Sequence, residues 1–159
     1  MSLEFQLELA ATVLLSIVLS AIVGIDRERS DHPAGLRTHI LVGMGSCVFT
    51  ILSIHAFSGG DTSRVAAQIV SGLGFLGAGA ILKDRGRVKG LTTAAGLWST
   101  AAIGMAVGVG AWLLAIIVTV FMWIVLAWLQ GFQKHLQPTK DKTQTKQQKD
   151  VASLHIEEV

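Results

Sequence analysis

The sequence predicts an all-α integral membrane protein with five transmembrane helices. Of its 159 residues, 51% are hydrophobic and only 15% are charged, whereas globular domains carry about 25% charged residues. The charges are clustered, so that long charge-free runs separate short charged loops. This pattern excludes an ordinary soluble domain and a chain that is disordered throughout, and the single cysteine excludes a disulfide scaffold. A net charge of +2 does not indicate nucleic-acid binding.

The charge-free runs predict where the helices lie, because a bilayer core of about 30 Å requires roughly 20 apolar residues. The fourth run, Gly90–Gln133, has 44 residues and would form a rod of about 66 Å, which is two spans. The break between them is predicted at Gly108-Val109-Gly110-Ala111. The five predicted spans are residues 7–25, 39–57, 65–82, 91–108 and 112–130.

The distribution of Lys and Arg predicts the orientation of the chain. With the N-terminus outside, the inner loops and the tail carry 12 basic residues, and the outer loops carry only Arg64. An odd number of spans is required, which agrees with five. The first span is interpreted as a retained helix, since Glu4 and Glu8 stand where a signal peptide would be basic.

Two domains are predicted: a five-helix membrane domain, residues 1–130, and a polar tail, residues 131–159. The tail is rich in Lys, Gln, Thr and Asp and cannot bury enough apolar surface to fold alone. We expect it to be disordered and cytoplasmic, with a role in solvation or contact with anionic lipid. A specific docking role is the alternative.

A shift of 55 residues superposes two parts of the membrane domain. Gly24 then matches Gly79, and Gly35-Leu36-Arg37-Thr38 matches Gly90-Leu91-Thr92-Thr93. This is the pattern of a tandem two-helix repeat about an axis along the membrane normal, followed by a fifth helix. Chance alignment of glycine-rich helices is the alternative.

Glycines fill the third and fourth helices, at positions 72, 74, 77, 79, 96, 104 and 108. The spacing Gly104-x-x-x-Gly108 lets helix backbones approach closely, so tight bundle packing is the simpler interpretation. The functional alternative is a narrow path in which unwound backbone at Gly72–Gly79 exposes carbonyl groups to an ion.

A charged cluster follows the first helix. Three acids and three bases lie within 12 residues, although Lys and Arg alone would determine orientation. The cluster comprises Asp26, Arg27, Glu28, Arg29, Asp31 and Arg37, with Thr38 at its end. It is either a set of solvated ion pairs, with Asp26 and Arg29 as an i, i+3 pair, or a buried polar network that could hold a cation at Asp26 and Glu28.

Other features indicate no catalytic chemistry. His39 and His55 are too far apart to share a metal, and Cys47 is interpreted as a small packed side chain. The sequence contains no Walker loop, His-Glu-x-x-His motif, nucleophile elbow or CxxC pair. We therefore expect no enzyme activity, no cofactor and no metal centre.

Four blocks of sequence resemble the MgtC/SapB family of bacterial inner-membrane proteins, over about residues 10–129. The blocks are Gly24-Ile25-Asp26-Arg27-Glu28, Gly35-Leu36-Arg37-Thr38, Gly72-Leu73-Gly74-Phe75-Leu76-Gly77-Ala78-Gly79, and Gly90-Leu91-Thr92-Thr93-Ala94-Ala95 with Trp98. The resemblance implies a five-helix bundle in the cytoplasmic membrane. It also implies roles in adaptation to low magnesium, acid and other envelope stress and, in pathogens, in virulence inside macrophages.

The resemblance also carries over site residues and partners. The polar network is expected at Asp26, Arg27, Glu28, Arg37 and Thr38. A role in helix packing, or in lining a path for an ion, is expected for Gly35, Gly72, Gly74, Gly77, Gly79, Gly90, Thr92, Thr93 and Trp98. Relatives are linked to restraint of the ATP synthase, which is the partner expected besides the lipid bilayer and a homo-oligomer. Longer members carry a folded C-terminal domain where about 30 polar residues stand here.

The sequence is compatible with two functional hypotheses. The first is a regulatory module that packs against another membrane complex through its small-residue helices. The second is a transporter or channel for magnesium or protons, with a path between the two hairpins and Asp26 and Glu28 at its mouth. No acid lies deep within a span, and ion-coupled carriers usually place one there, which favours the first.

The predicted topology can be tested by cysteine labelling in intact cells, in a variant that lacks Cys47. We expect Asp31→Cys to react only with reagents that reach the cytoplasm, and Asp61→Cys to react from the periplasm, because the basic loops are retained inside. Labelling of position 31 from the periplasm would contradict the orientation.

Overall fold

A computed structural model describes residues 2–30, 32–56, 60–84 and 87–136, and five helices account for most of them. The helices are α1 (Leu3–Arg29), α2 (Leu36–His55), α3 (Ser63–Ala80), α4 (Leu91–Gly108) and α5 (Trp112–Leu136). The predicted five-helix, all-α class is confirmed. The predicted tail from residue 131 begins within α5, and residues 137–159 lie outside the described part.

Three of the described helices, α1, α2 and α4, are long and apolar enough to cross a membrane. The part of α5 from Trp112 to Trp128 is a shorter apolar helical segment. In α3, Arg64 and Gln68 lie in the first two turns and lower its mean hydropathy. That α3 and α5 also cross the bilayer stays a prediction. Large apolar side chains such as Leu14, Phe75 and Phe121 are exposed, as lipid-facing residues of a membrane bundle are.

The chain divides into two compact units, residues 1–124 and 125–159. In the first unit, α1 packs on α2, α2 on α4, and α3 on α4. The core contains Val23 of α1, Cys47 of α2, and Ile103 and Val107 of α4, all at most 1% exposed. In its described part, the second unit consists of the last turns of α5.

Helices α2 and α4 approach each other until their backbones touch. A Cβ atom added at Gly104 would lie 2.2 Å from the carbonyl oxygen of Gly43, and one at Gly108 would lie 2.9 Å from that of Cys47. Only glycine permits this contact, because distances under 3.0 Å to backbone atoms require one helix to move. The Gly104-x-x-x-Gly108 spacing is therefore the α4 side of the α2–α4 contact.

The connections around α4 use glycine with positive φ. A short antiparallel hairpin, β1 (Leu82–Asp84) with β2 (Arg87–Lys89), joins α3 to α4 and was not predicted from the sequence. Gly90 follows with φ of 87°, and a Cβ there would lie 1.9 Å from the carbonyl oxygen of Ala80. Gly110, between α4 and α5, has φ of 83°. Residues with a side chain rarely adopt this conformation.

The 55-residue shift that aligns the two parts of the sequence also aligns the first residues of α2 and α4. Gly35 is the N-cap of α2 and Gly90 the N-cap of α4, so the helices begin at Leu36 and Leu91. The preceding helices differ, since α1 continues to Arg29 whereas α3 ends at Ala80 and gives way to the hairpin. The repeat therefore applies to the second helix of each hairpin more closely than to the loops.

Gly104→Ala is expected to destabilise the protein by about 1–3 kcal/mol, because the added methyl group would push α4 away from the backbone of α2. The control is Gly74→Ala, where nothing lies within 4 Å of the added Cβ; there we expect no loss of stability. Thermal unfolding in detergent, followed by circular dichroism, would compare the two. Equal stability of both variants would contradict the close α2–α4 contact.

Candidate functional site

The charged cluster contains an ion pair at the end of α1, in which the arginine is buried and the aspartate is partly exposed. Arg27 lies on the buried stripe of α1 with Ser20, Val23 and Gly24, and its side chain is completely buried. Its Nε donates to Asp26 Oδ2 at 3.0 Å, and its Nη2 also contacts that oxygen. A buried guanidinium without a counter-ion costs several kcal/mol. The carboxylate of Asp26 therefore permits the burial of Arg27.

The expected Asp26–Arg29 pair does not form. Arg29 is exposed, and Asp26 is paired with its chain neighbour Arg27 instead. The reason is the orientation of α1, which places Arg27 on the buried side of the helix and Arg29 on the exposed side. A solvated i, i+3 pair at the surface contributes only tenths of a kcal/mol, which is little beside the need to neutralise a buried charge.

Glu28 caps the N-terminus of α2 from the end of α1. Its Oε2 accepts a hydrogen bond from the backbone N–H of Leu36, the first residue of α2, at 2.9 Å. The N-cap residue, Gly35, has no side chain to perform this function. A Cβ at Gly35 would lie 1.7 Å from Glu28 Oε2. Glycine at position 35 thus leaves space for the Glu28 carboxylate. In this position the carboxylate also interacts favourably with the dipole of α2.

His39 is a buried residue next to this cap, and it was not among the site residues predicted from the sequence. Its side chain is completely buried, and its Nδ1 lies 2.9 Å from the carbonyl oxygen of Gly35. Because a carbonyl oxygen only accepts, Nδ1 donates this hydrogen bond. Nε2 has no hydrogen-bond partner in the described part of the chain. The sequence signal that could have identified His39 is its position four residues after Gly35, the N-cap of α2.

The remaining residues of the predicted network lie apart from these contacts. Arg37 is exposed, and in the part of the chain that the structure describes it does not join the ion pair or the cap. Thr38 is half-buried and lines a groove between α2 and α3. Asp31 is outside the described residues. Among the described residues, Asp26–Arg27 and Glu28–Leu36 are the contacts given for the predicted network, and both lie where α1 ends and α2 begins.

The predicted set of glycines divides into packed and open positions. A Cβ at Gly77 would lie 3.5 Å from that of Ala94 in α4, whereas nothing lies within 4 Å at Gly72, Gly74 or Gly79. Helix α3 is continuous over Ser63–Ala80, so the backbone at Gly72–Gly79 is not unwound. Near the start of α4, Thr93 is buried while Thr92 and Trp98 are exposed.

The acids at this end are already engaged by protein groups. Asp26 accepts from Arg27, and Glu28 accepts from the N–H of Leu36. Among the described residues, no three His, Cys, Asp or Glu side chains come together as a metal site would require. What the arrangement does chemically is to join the end of α1 to the start of α2 by a carboxylate cap beside a neutralised, buried arginine.

Comparison with known proteins gives consistent matches. Residues 13–135 match the MgtC family. The chain is 44% identical over 130 residues to the Escherichia coli K12 protein named putative magnesium transporter YhiD, covering 74% of this chain and 60% of that protein. It is 43% identical over 128 residues to protein MgtC of Brucella abortus, covering 80% and 54%.

A third relative is similar over more of its own length. The chain is 40% identical over 144 residues to protein SrpB of Synechococcus elongatus, covering 80% of this chain and 78% of that protein. By contrast, it spans little more than half the length of the Escherichia coli and Brucella proteins. No solved structure matches the chain.

The cap can be tested by a double-mutant cycle on Glu28→Ala and Gly35→Ala. Each is expected to destabilise the protein by about 1 kcal/mol, the first by removing the acceptor for Leu36 N–H and the second by displacing it. Because both remove one interaction, the double variant should lose clearly less than the sum. Chemical unfolding in detergent measures the effects, with Glu8→Ala as the exposed control. Strict additivity would contradict the cap.

Proposed function

Because the chain belongs to the MgtC family, we propose that it is a non-enzymatic membrane protein that regulates another membrane complex through protein–protein contacts. The family resemblance predicted from the four glycine-rich blocks is confirmed. The name of the Escherichia coli relative, putative magnesium transporter YhiD, mentions magnesium. We propose that this chain acts in magnesium and acid-stress homeostasis, from the bacterial inner membrane, with its N-terminus in the periplasm.

The observation that carries this proposal is the backbone contact between α2 and α4. A transport path between the two hairpins would run along this interface, where a Cβ at Gly104 would meet the backbone of Gly43 at 2.2 Å. Interfaces with such contact have no space for an ion, with or without its water. This favours a packed module over a carrier that opens between its repeats.

The polar groups near this interface also support the proposal. The hydroxyls of Thr50, Thr100 and Thr119 donate to carbonyl oxygens four residues earlier in their own helices, at 2.8–2.9 Å. The hydrogen atoms of these hydroxyls are therefore satisfied within their own helices. Asp26, which would stand at the mouth of such a path, is neutralised by Arg27, and a cation would have to displace that guanidinium.

The partner we propose is a membrane complex, with the ATP synthase as the first candidate. An exposed surface is needed for such contact, and two features of the chain provide it. The outward glycines Gly74 and Gly79 of α3 leave room for a helix to approach. Arg29 is exposed at the end where the cap lies and can contact acidic groups of a partner.

Ion transport is the second candidate function, and one observation favours it. Ser20 Oγ and His39 Nε2 are buried and have no hydrogen-bond partner among the described residues. Buried polar groups are normally satisfied by protein or by ordered water. Water at these positions would place a hydrated seam along α1 and α2. The name of the Escherichia coli relative, putative magnesium transporter YhiD, is in line with this candidate.

A flux assay separates the two candidates. The purified protein is reconstituted into liposomes that contain a magnesium- or proton-sensitive dye, and an ion gradient is applied. We expect the flux to equal that of protein-free liposomes, because the α2–α4 interface is closed. Asp26→Asn and Ser20→Val should leave this result unchanged.

Reproducible flux that disappears in either variant would overturn the regulatory proposal in favour of transport. Cross-linking in native membranes supplies the positive test, in which we expect a second protein complex to be recovered with the chain. Recovery of self-contacts alone would count against a regulator. Loss of the cross-link in Gly74→Leu, with Gly45→Leu as control, would assign the contact to the outer face of α3.

A further inference from the structure

An apolar groove of about 660 Å³ lies between α2 and α3. Leu41, Val42 and Phe49 of α2 form one wall, and Ile69, Leu73 and Leu76 of α3 form the other. The groove exists because α3 packs on α4 and only lightly on α2. In a bilayer, an open apolar groove of this size on the side of a bundle is filled by an apolar chain.

The length of the groove matches one leaflet of the bilayer. Its α2 wall extends from Thr38 to Phe49, which at 1.5 Å per residue is about 16 Å, and half of a hydrocarbon core is about 15 Å. Gly45 and Gly72 lie on opposite walls, and nothing stands within 4 Å of a Cβ added at either. The groove is therefore wide at its middle and ends near the first turn of α2.

Exposed cations lie at that end of the groove. Arg37 is next to Thr38 in the first turn of α2, and Lys83 lies in β1, three residues after the end of α3; both are exposed. The sequence of the β1–β2 segment, residues 82–89, carries four basic residues and one acid, and Asp26 at the end of α1 pairs with Arg27. Positive charge is therefore in excess in the sequence at this end of the groove, which favours a negatively charged group there.

We propose that the α2–α3 groove binds one acyl chain of an anionic phospholipid, whose phosphate headgroup lies against Arg37 and Lys83. A lipid explains the apolar walls and the charged mouth together, whereas a docked helix or a second copy of the chain explains only the walls. Basic residues between membrane helices bind anionic headgroups in this way. The proposal requires only that α2 and α3 lie in the bilayer, and it is independent of the proposed regulatory function.

The test uses the full chain, purified in mild detergent and titrated with phosphatidylglycerol or phosphatidylcholine of equal chain length. Native mass spectrometry measures the fraction of chains that retain one lipid. We expect one phosphatidylglycerol per chain. Each basic residue near the headgroup contributes a factor of about five in affinity, so the double variant Arg37→Gln, Lys83→Gln should bind phosphatidylglycerol about 25-fold more weakly and lose the preference over phosphatidylcholine.

Filling the groove should abolish retention of both lipids. Gly72→Leu places a side chain into it, and Gly45→Leu does so from the opposite wall. The matched controls are Gly79→Leu, an open glycine outside the groove, and Arg64→Gln, an exposed cation at the other end of α3; both should bind lipid as the unaltered chain does. Circular dichroism verifies that each variant is folded.

Three results would overturn the proposal. The first is undiminished lipid retention in both folded groove variants. The second is a preference for phosphatidylglycerol that survives the loss of Arg37 and Lys83. The third is a dimer of the unaltered chain that Gly72→Leu and Gly45→Leu abolish, because the groove would then be an interface between copies.

Discussion

The contact between α2 and α4 is the constraint on which the rest of the bundle depends. Lipid tails are as apolar as leucine, so helices in a bilayer associate through close packing and not through the hydrophobic effect. Gly104 and Gly108 of α4 allow the two backbones to touch, and this joins the α1–α2 and α3–α4 hairpins. The same contact closes the interface where a carrier would open, and it therefore bears on function as much as on stability.

The second organising feature is the pairing of charged side chains where α1 ends and α2 begins. Arg27 is completely buried and neutralised by Asp26, while Glu28 satisfies the first N–H of α2. A comparable arrangement begins α3, where Asp61 accepts from the N–H and hydroxyl of Ser63; these hydrogen bonds lower the pKa of the Asp61 carboxyl. At the starts of both α2 and α3, a carboxylate from a residue outside the helix accepts the hydrogen bond that an N-cap side chain would otherwise accept.

Several features were predictable from the sequence because they depend on local composition. Charge-free runs of suitable length predict the helices, and the glycine pair at 108 and 110 predicts the turn before α5, where Gly110 has positive φ. The partner of Asp26 was not predictable, because α1 is apolar nearly all round and its sequence does not indicate which face is buried. The hairpin Leu82–Lys89 also escaped prediction, since strands of three residues carry no visible alternation.

The sequence by itself determined the class of the molecule, its helices and its family, because apolar runs of bilayer length and four glycine-containing blocks are properties of the chain alone. The tertiary structure alone decided which glycines are contacts and which are open surface. Gly104 meets the backbone of Gly43, whereas Gly72 meets nothing within 4 Å. It also decided that His39 is buried. The role of a glycine or a histidine depends on whether it packs against a neighbouring helix or faces lipid, and only the packing of the helices determines which of the two applies.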